Sequence, residues 1–282
     1  MIRVVFAALV FWLTLAGCSV KYAYNNLDRF VLWGVNDYVH LSAAQKSYFH
    51  SAFDDFHLWH RHSQLPLYAD LLTSVPPLIL DGTTMEELIA FEERTFLLGE
   101  ATFDRILPIS AEIITMMDEQ QLADLPRLME RSNTKIIGNE GSGDITKIQD
   151  AWASELVSYA RRFIGRLTRA QKSYVKNSSQ KYIPERILWV EYRRRWQADF
   201  MELLLENPYG KHFLDRFTHM VKNREEYYGA ELTYVFDHNE ALTRGITVWL
   251  INNLTEPQQI YLSERLLGLA EDLEELARDQ RW

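Results

Sequence analysis

The amino-acid sequence predicts an all-α fold, a bundle-like assembly of about nine to eleven helices in one domain. Three observations lead there. Only 12 glycines and 8 prolines punctuate 282 residues, too few for a β-sandwich or a Gly-rich nucleotide fold. Apolar residues recur at spacings of three and four along most of the chain, and no stretch alternates as a strand would. Hydrophobic residues make up 47% and aromatics 13%, enough apolar surface to offset the entropy of ordering, which excludes intrinsic disorder as the general state.

Each element has its own warrant. Residues 22–39 place Ala23, Leu27, Phe30, Val31 and Val35 on one stripe. Residues 42–63 align Phe49, Phe53, Phe56 and His60. Pro66 suits the first turn of a helix through Leu72. Pro76-Pro77 and Asp81-Gly82 then break the chain. Residues 84–117 form one long pattern that Pro108 is expected to kink or divide. Residues 139–144 (Asn-Glu-Gly-Ser-Gly-Asp) are the best place for a flexible joint. Helical patterns then run over 145–164, 168–182, 185–206, 209–228, 230–252 and 256–279.

One local pattern recurs. Leu41-Ser42-x-x-Gln45, Leu167-Thr168-x-x-Gln171 and Leu254-Thr255-x-x-Gln258 are each followed by a tyrosine three residues later, and Met117-Asp118-x-x-Gln121 is a looser copy. Each reads as a capping box, the N-cap oxygen accepting from the N3 amide while the glutamine returns to the N-cap amide. Helices are therefore expected to start at Ser42, Thr168 and Thr255. The spacing fits an old duplication or repeated use of a good cap.

Residues 1–17 read as a signal peptide, with Arg3 followed by an apolar run over 4–13 that is too short to span a bilayer. Leu15-Ala16-Gly17-Cys18 resembles the lipobox of bacterial lipoprotein precursors. That resemblance implies lipidation of Cys18, removal of 1–17 and a mature domain over 18–282. The Ser19 that follows resembles the outer-membrane sorting class of Gram-negative bacteria, with the domain facing the periplasm. Cys18 is the single cysteine, so the mature chain has no disulfide and relies on its core.

The layout also resembles an uncharacterised family of Gram-negative lipoproteins defined by a domain of unknown function. The residues that carry this are Ala23-Tyr24-Asn25-Asn26-Leu27-Asp28, Asp37-Tyr38, Trp59-His60-Arg61, Leu65-Pro66, Tyr68 and the late Leu-Thr-x-x-Gln helix. The repeated motif itself is similar to one that marks small helical periplasmic chaperones of envelope stress.

Candidate chemistry is sparse. His50, Asp54 and His57 share a helical face that could hold a metal, but no fourth ligand is identifiable, and an amphipathic surface helix is the better reading. His60 extends the phenylalanine stripe and is expected to contact a carboxylate or carbonyl. No nucleophile elbow, nucleotide loop or cofactor motif is present. A net charge of −9 and a pI near 5.4 argue against nucleic acid. Eleven Lys/Arg crowd residues 161–195 against only Glu185 and Glu191. Arg193, Arg194 and Arg195 are candidates for an anionic contact, either with the acidic C-terminal helix around 271–275 or with an envelope component. The expected role is a membrane-anchored, non-enzymatic module that binds an envelope protein, with Trp59, His60, Arg61 and Tyr68 as anchoring residues. A chaperone-like role and a cell-wall or lipid hydrolase are the alternatives.

Overall fold

The computed structural model describes residues 18–206 and 209–279; the expected signal peptide lies outside the described residues. Among the described residues the fold is all-α, without a strand. In chain order the helices are α1 (Cys18–Asn25), α2 (Leu27–Val35), α3 (Ala43–Trp59), a π-helical turn (His60–Gln64), α4 (Leu65–Thr73), α5 (Val75–Asp81), α6 (Met85–Thr115) and α7 (Glu119–Ile137). A 3-10 turn (Gly138–Ser142) leads to α8 (Ile145–Ile164), α9 (Arg169–Ser179), α10 (Arg186–Glu206) and α11 (Gly210–Lys222). A second 3-10 turn (Arg224–Tyr227) precedes α12 (Gly229–Asn252) and α13 (Glu256–Arg278).

The capping motifs do more than start helices. Ser42, Asp118 and Thr168 each accept from the N3 amide, and their glutamines return to the N-cap amide. At Thr255 the amide and the hydroxyl both donate to Gln258 Oε1. The four glutamines then pair in twos. Gln45 and Gln121 exchange amide hydrogen bonds of 3.2 and 2.8 Å, and Gln171 and Gln258 exchange bonds of 2.8 and 3.0 Å. Each second amide proton finds a backbone carbonyl: Ile113 for Gln45, His40 for Gln121, Asn253 for Gln171 and Arg166 for Gln258. Every amide in these clasps has both donors and its oxygen engaged, which is what burial of so polar a group requires.

The clasps reveal two similar halves. In each, a boxed helix (α3 or α9) is joined at its N-terminus to a second boxed helix (α7 or α13) that follows directly on a long helix (α6 or α12). Residue 40 and residue 166, both two before their N-cap, play the same accepting role. The looser copy at Asp118 is thus the partner of the first motif. A fifth box, Thr84 with Glu87, opens α6.

Two asparagines of α12 pin distant loops by imitating a backbone strand. Asn252 accepts from Thr83 N and donates to Thr83 O, and Asn239 does the same with Ile183. Gly82, with φ +84°, lets the first of these approach; a Cβ there would stand 3.1 Å from Asn252 Oδ1. Apolar packing joins the two halves. Leu107, Phe200, Leu203 and Phe213 centre one cluster, and Leu65, Ala69, Ala270 and Leu273 another, where α4 lies along α13.

Of the two outcomes expected at Pro108, division does not occur: α6 runs unbroken through it at the cost of one backbone hydrogen bond. Within 139–144, Glu140 is buried and accepts from Arg186 N at 2.7 Å.

Candidate functional site

The residues singled out around Trp59 converge, but inward. α3 and α4 are joined by a single π turn, closed by Leu65 N–H on His60 O. Pro66 lacks an amide proton and crowds the carbonyl four residues back, so the helix widens just ahead of it. His57 and His60 face Tyr24 of α1, Arg61 reaches both α1 and α13, and Tyr68 packs with Leu273 of α13.

Arg61 is the hub, with 1% of its surface exposed. It donates to Leu276 O at 2.9 Å and to Asn25 Oδ1 at 2.8 Å, and lies over the Tyr24 ring at 5.3 Å. Leu276 belongs to the last turn of α13, where carbonyls lack intrahelical partners and a cation is favourable. One guanidinium thus fastens the ends of α1 and α13 to the π turn between α3 and α4. Tyr24 and His60 share a hydrogen bond of 3.0 Å, and the Tyr24 and His57 rings lie 4.4 Å apart. Burial holds His57 near a pKa of about 3 and His60 near about 4, so both are neutral at pH 7. Burial also pushes the Tyr68 phenol up to about 12, with Thr102 as its side-chain partner.

These contacts bear on three readings. His60 meets a phenol, where a carboxylate or carbonyl was expected. His57 is a core residue, so His50, Asp54 and His57 cannot form a ligand set: His50 is exposed, 3.8 Å from Asp28. No group of three or more metal-binding side chains occurs among the described residues. His60, Arg61 and Tyr68 are buried and Trp59 is half-buried beneath Arg105, so this cluster ties helices together and only Trp59 keeps part of its surface open.

The basic segment divides in two. Its C-terminal part is consumed internally. Arg193 donates to Asn133 Oδ1, Arg194 pairs with Glu130 at 2.5 Å, and Arg195 donates to the Tyr227 and Tyr228 carbonyls. Arg186 faces Glu140 and Glu155. The partner of Arg194 is therefore α7, and the acidic stretch of α13 is engaged instead by Lys21, against Asp272 and Glu275. Position on α10 explains this, since that helix packs along α7.

The N-terminal part stays open. Gln171, Val175 and Ser179 form the buried face of α9, which leaves Arg169, Lys172 and Lys176 on the opposite side. Arg161 and Arg162 end α8, and Arg166 lies in the connection between the two helices. Arg161, Arg166, Arg169 and Lys172 are exposed and make no ion pair among the described residues; Lys176 reaches Asp150 only at 3.7 Å. This corner is a compact cationic surface on a fixed helix pair.

A model for a family of unknown function, DUF6279, matches residues 37–233, and the chain belongs to that family. No curated protein and no solved structure matches it.

Proposed function

For this DUF6279 chain, we propose a lipid-anchored envelope protein of a Gram-negative bacterium that acts by binding an acidic partner protein at the α8–α9 corner. Cys18, in its lipobox-like context, supplies the anchor on the outer membrane, and the domain faces the periplasm. The observation that carries the reading is the division of the basic segment. Four of its eleven cations are spent inside the fold, while Arg161, Arg166, Arg169 and Lys172 are held together in solvent. Such a field steers an acidic surface to the site and fixes its orientation. No described helix is long and apolar enough to cross a membrane.

The test is in-cell crosslinking of the full chain with and without Arg166→Glu/Arg169→Glu/Lys172→Glu. A specific crosslinked protein is expected and should disappear in the variant, with unchanged helical circular dichroism. A partner retained after charge reversal would move the interface elsewhere. Turnover of a cell-wall or lipid substrate by the purified chain would replace binding with hydrolysis.

A further inference from the structure

α2 contains no buried residue. Leu27, Val31 and Leu32 lean on the Phe49–Phe53–Phe56 cluster, against which Ile106, Ile109 and Ile113 of α6 also pack. On the other side Arg29, Phe30 and Trp33 point to solvent, Trp33 with 74% of its surface exposed. Tyr22 on α1 is 64% exposed. Three large aromatics and an arginine thus lie open within twelve residues. This is the composition of a bilayer interface, where aromatic rings sit at headgroup level and arginine meets phosphate.

The position of the anchor residue says what covers this face. Cys18 is itself the first residue of α1, with no linker between it and the folded domain. At about 1.5 Å per helical residue, Tyr22 lies about 6 Å along the helix from Cys18, and Trp33 no more than about 22 Å. The headgroup layer on each side of a bilayer is only about 5–8 Å deep. Tyr22 is held to that layer by its nearness, and Trp33 can reach it when α2 lies along the surface. We infer that the open face of α1 and α2, carrying Tyr22, Arg29, Phe30 and Trp33, rests on the lipid headgroups beside the anchored Cys18. This rests on the lipid-anchor reading above and adds that the domain is held flat against the bilayer in a fixed orientation.

The single native cysteine makes the test clean, because lipidation blocks its thiol. Full-length Trp33→Cys, Tyr22→Cys and, as a remote exposed control, Tyr234→Cys are labelled with an environment-sensitive fluorophore in phosphatidylethanolamine–phosphatidylglycerol vesicles. Quenching by aqueous iodide is expected to fall several-fold at positions 33 and 22 relative to 234, with a blue-shifted emission. A chain that does not fractionate with membranes would overturn the anchor and the inference together. An anchored chain quenched equally at 33, 22 and 234 would overturn the inference alone. Shielding that fades as the protein is diluted within the vesicle would assign the face to a second copy and also overturn it.

Discussion

The two glutamine clasps are built from the same four-residue code, yet they sit in different surroundings. In the second half Gln171 and Gln258 are both buried, and Tyr174 stacks on Trp249 at 3.7 Å where α9 meets α12. In the first half Gln45 is buried but Gln121 is only half-buried. The difference teaches that a capping motif fixes where a helix begins, while its contribution depends on whether water can replace the partner that the fold supplies.

The largest expected effect tests this directly. Gln171→Leu strands the buried Gln258 amide away from water, and should cost about 3 kcal/mol. Gln45→Leu should cost about 1 kcal/mol, because solvent reaches the half-buried Gln121 amide that it leaves. Urea unfolding of the two variants measures the gap; equal losses would dissolve the distinction. Replacing Gln171 and Gln258 together by leucine should cost less than the sum of the single changes, since neither amide is then orphaned.

Acid should separate the halves next. His57 and His60 have folded pKa values below the usual 6.5. The unfolded chain therefore takes up their protons first, and stability is lost as pH falls below about 6.5, by about 2 kcal/mol at pH 5.5 for the pair. Glu140 and Glu185 shift the other way: burial raises both, so the folded state binds protons first and α10 gains stability as pH falls. Hydrogen exchange at pH 5.5 against pH 7 should show α3 and α4 opening more readily than the start of α10. A His57→Leu/His60→Phe variant should flatten the acid slope.

The smallest effect compares the caps. Ser42→Ala and Thr168→Ala should each cost about 1 kcal/mol by thermal or urea unfolding. Thr255→Ala should cost a few tenths, because Pro257 already favours the first turn and the Thr255 amide keeps its bond to Gln258.

The helices were legible in the sequence because caps and periodicity are local. Ser42, Thr168 and Thr255 start α3, α9 and α13 as their motifs predict. What was not legible is which box meets which, since Gln45 finds Gln121 across 76 residues and Gln171 finds Gln258 across 87. Arg61 shows the same limit. An arginine between tryptophan and histidine reads as a surface anchor until Leu276, 215 residues away, supplies the carbonyl that makes burial tolerable. The Thr84–Glu87 box was readable from its Thr-x-x-Glu spacing and was missed. The basic segment was legible as charge, but only packing against α7 separates the arginines that are spent from those that are free.

Because the clasps join neutral amides, dissolved ions have nothing in them to screen. The exposed cations at the α8–α9 corner are the opposite case, since their field fades over about 8 Å at physiological ionic strength. Salt can therefore weaken what the corner holds without loosening the frame that presents it. In the role proposed above, folding and partner release become separately adjustable, and a rise in external salinity would free the acidic protein while the clasps stay closed.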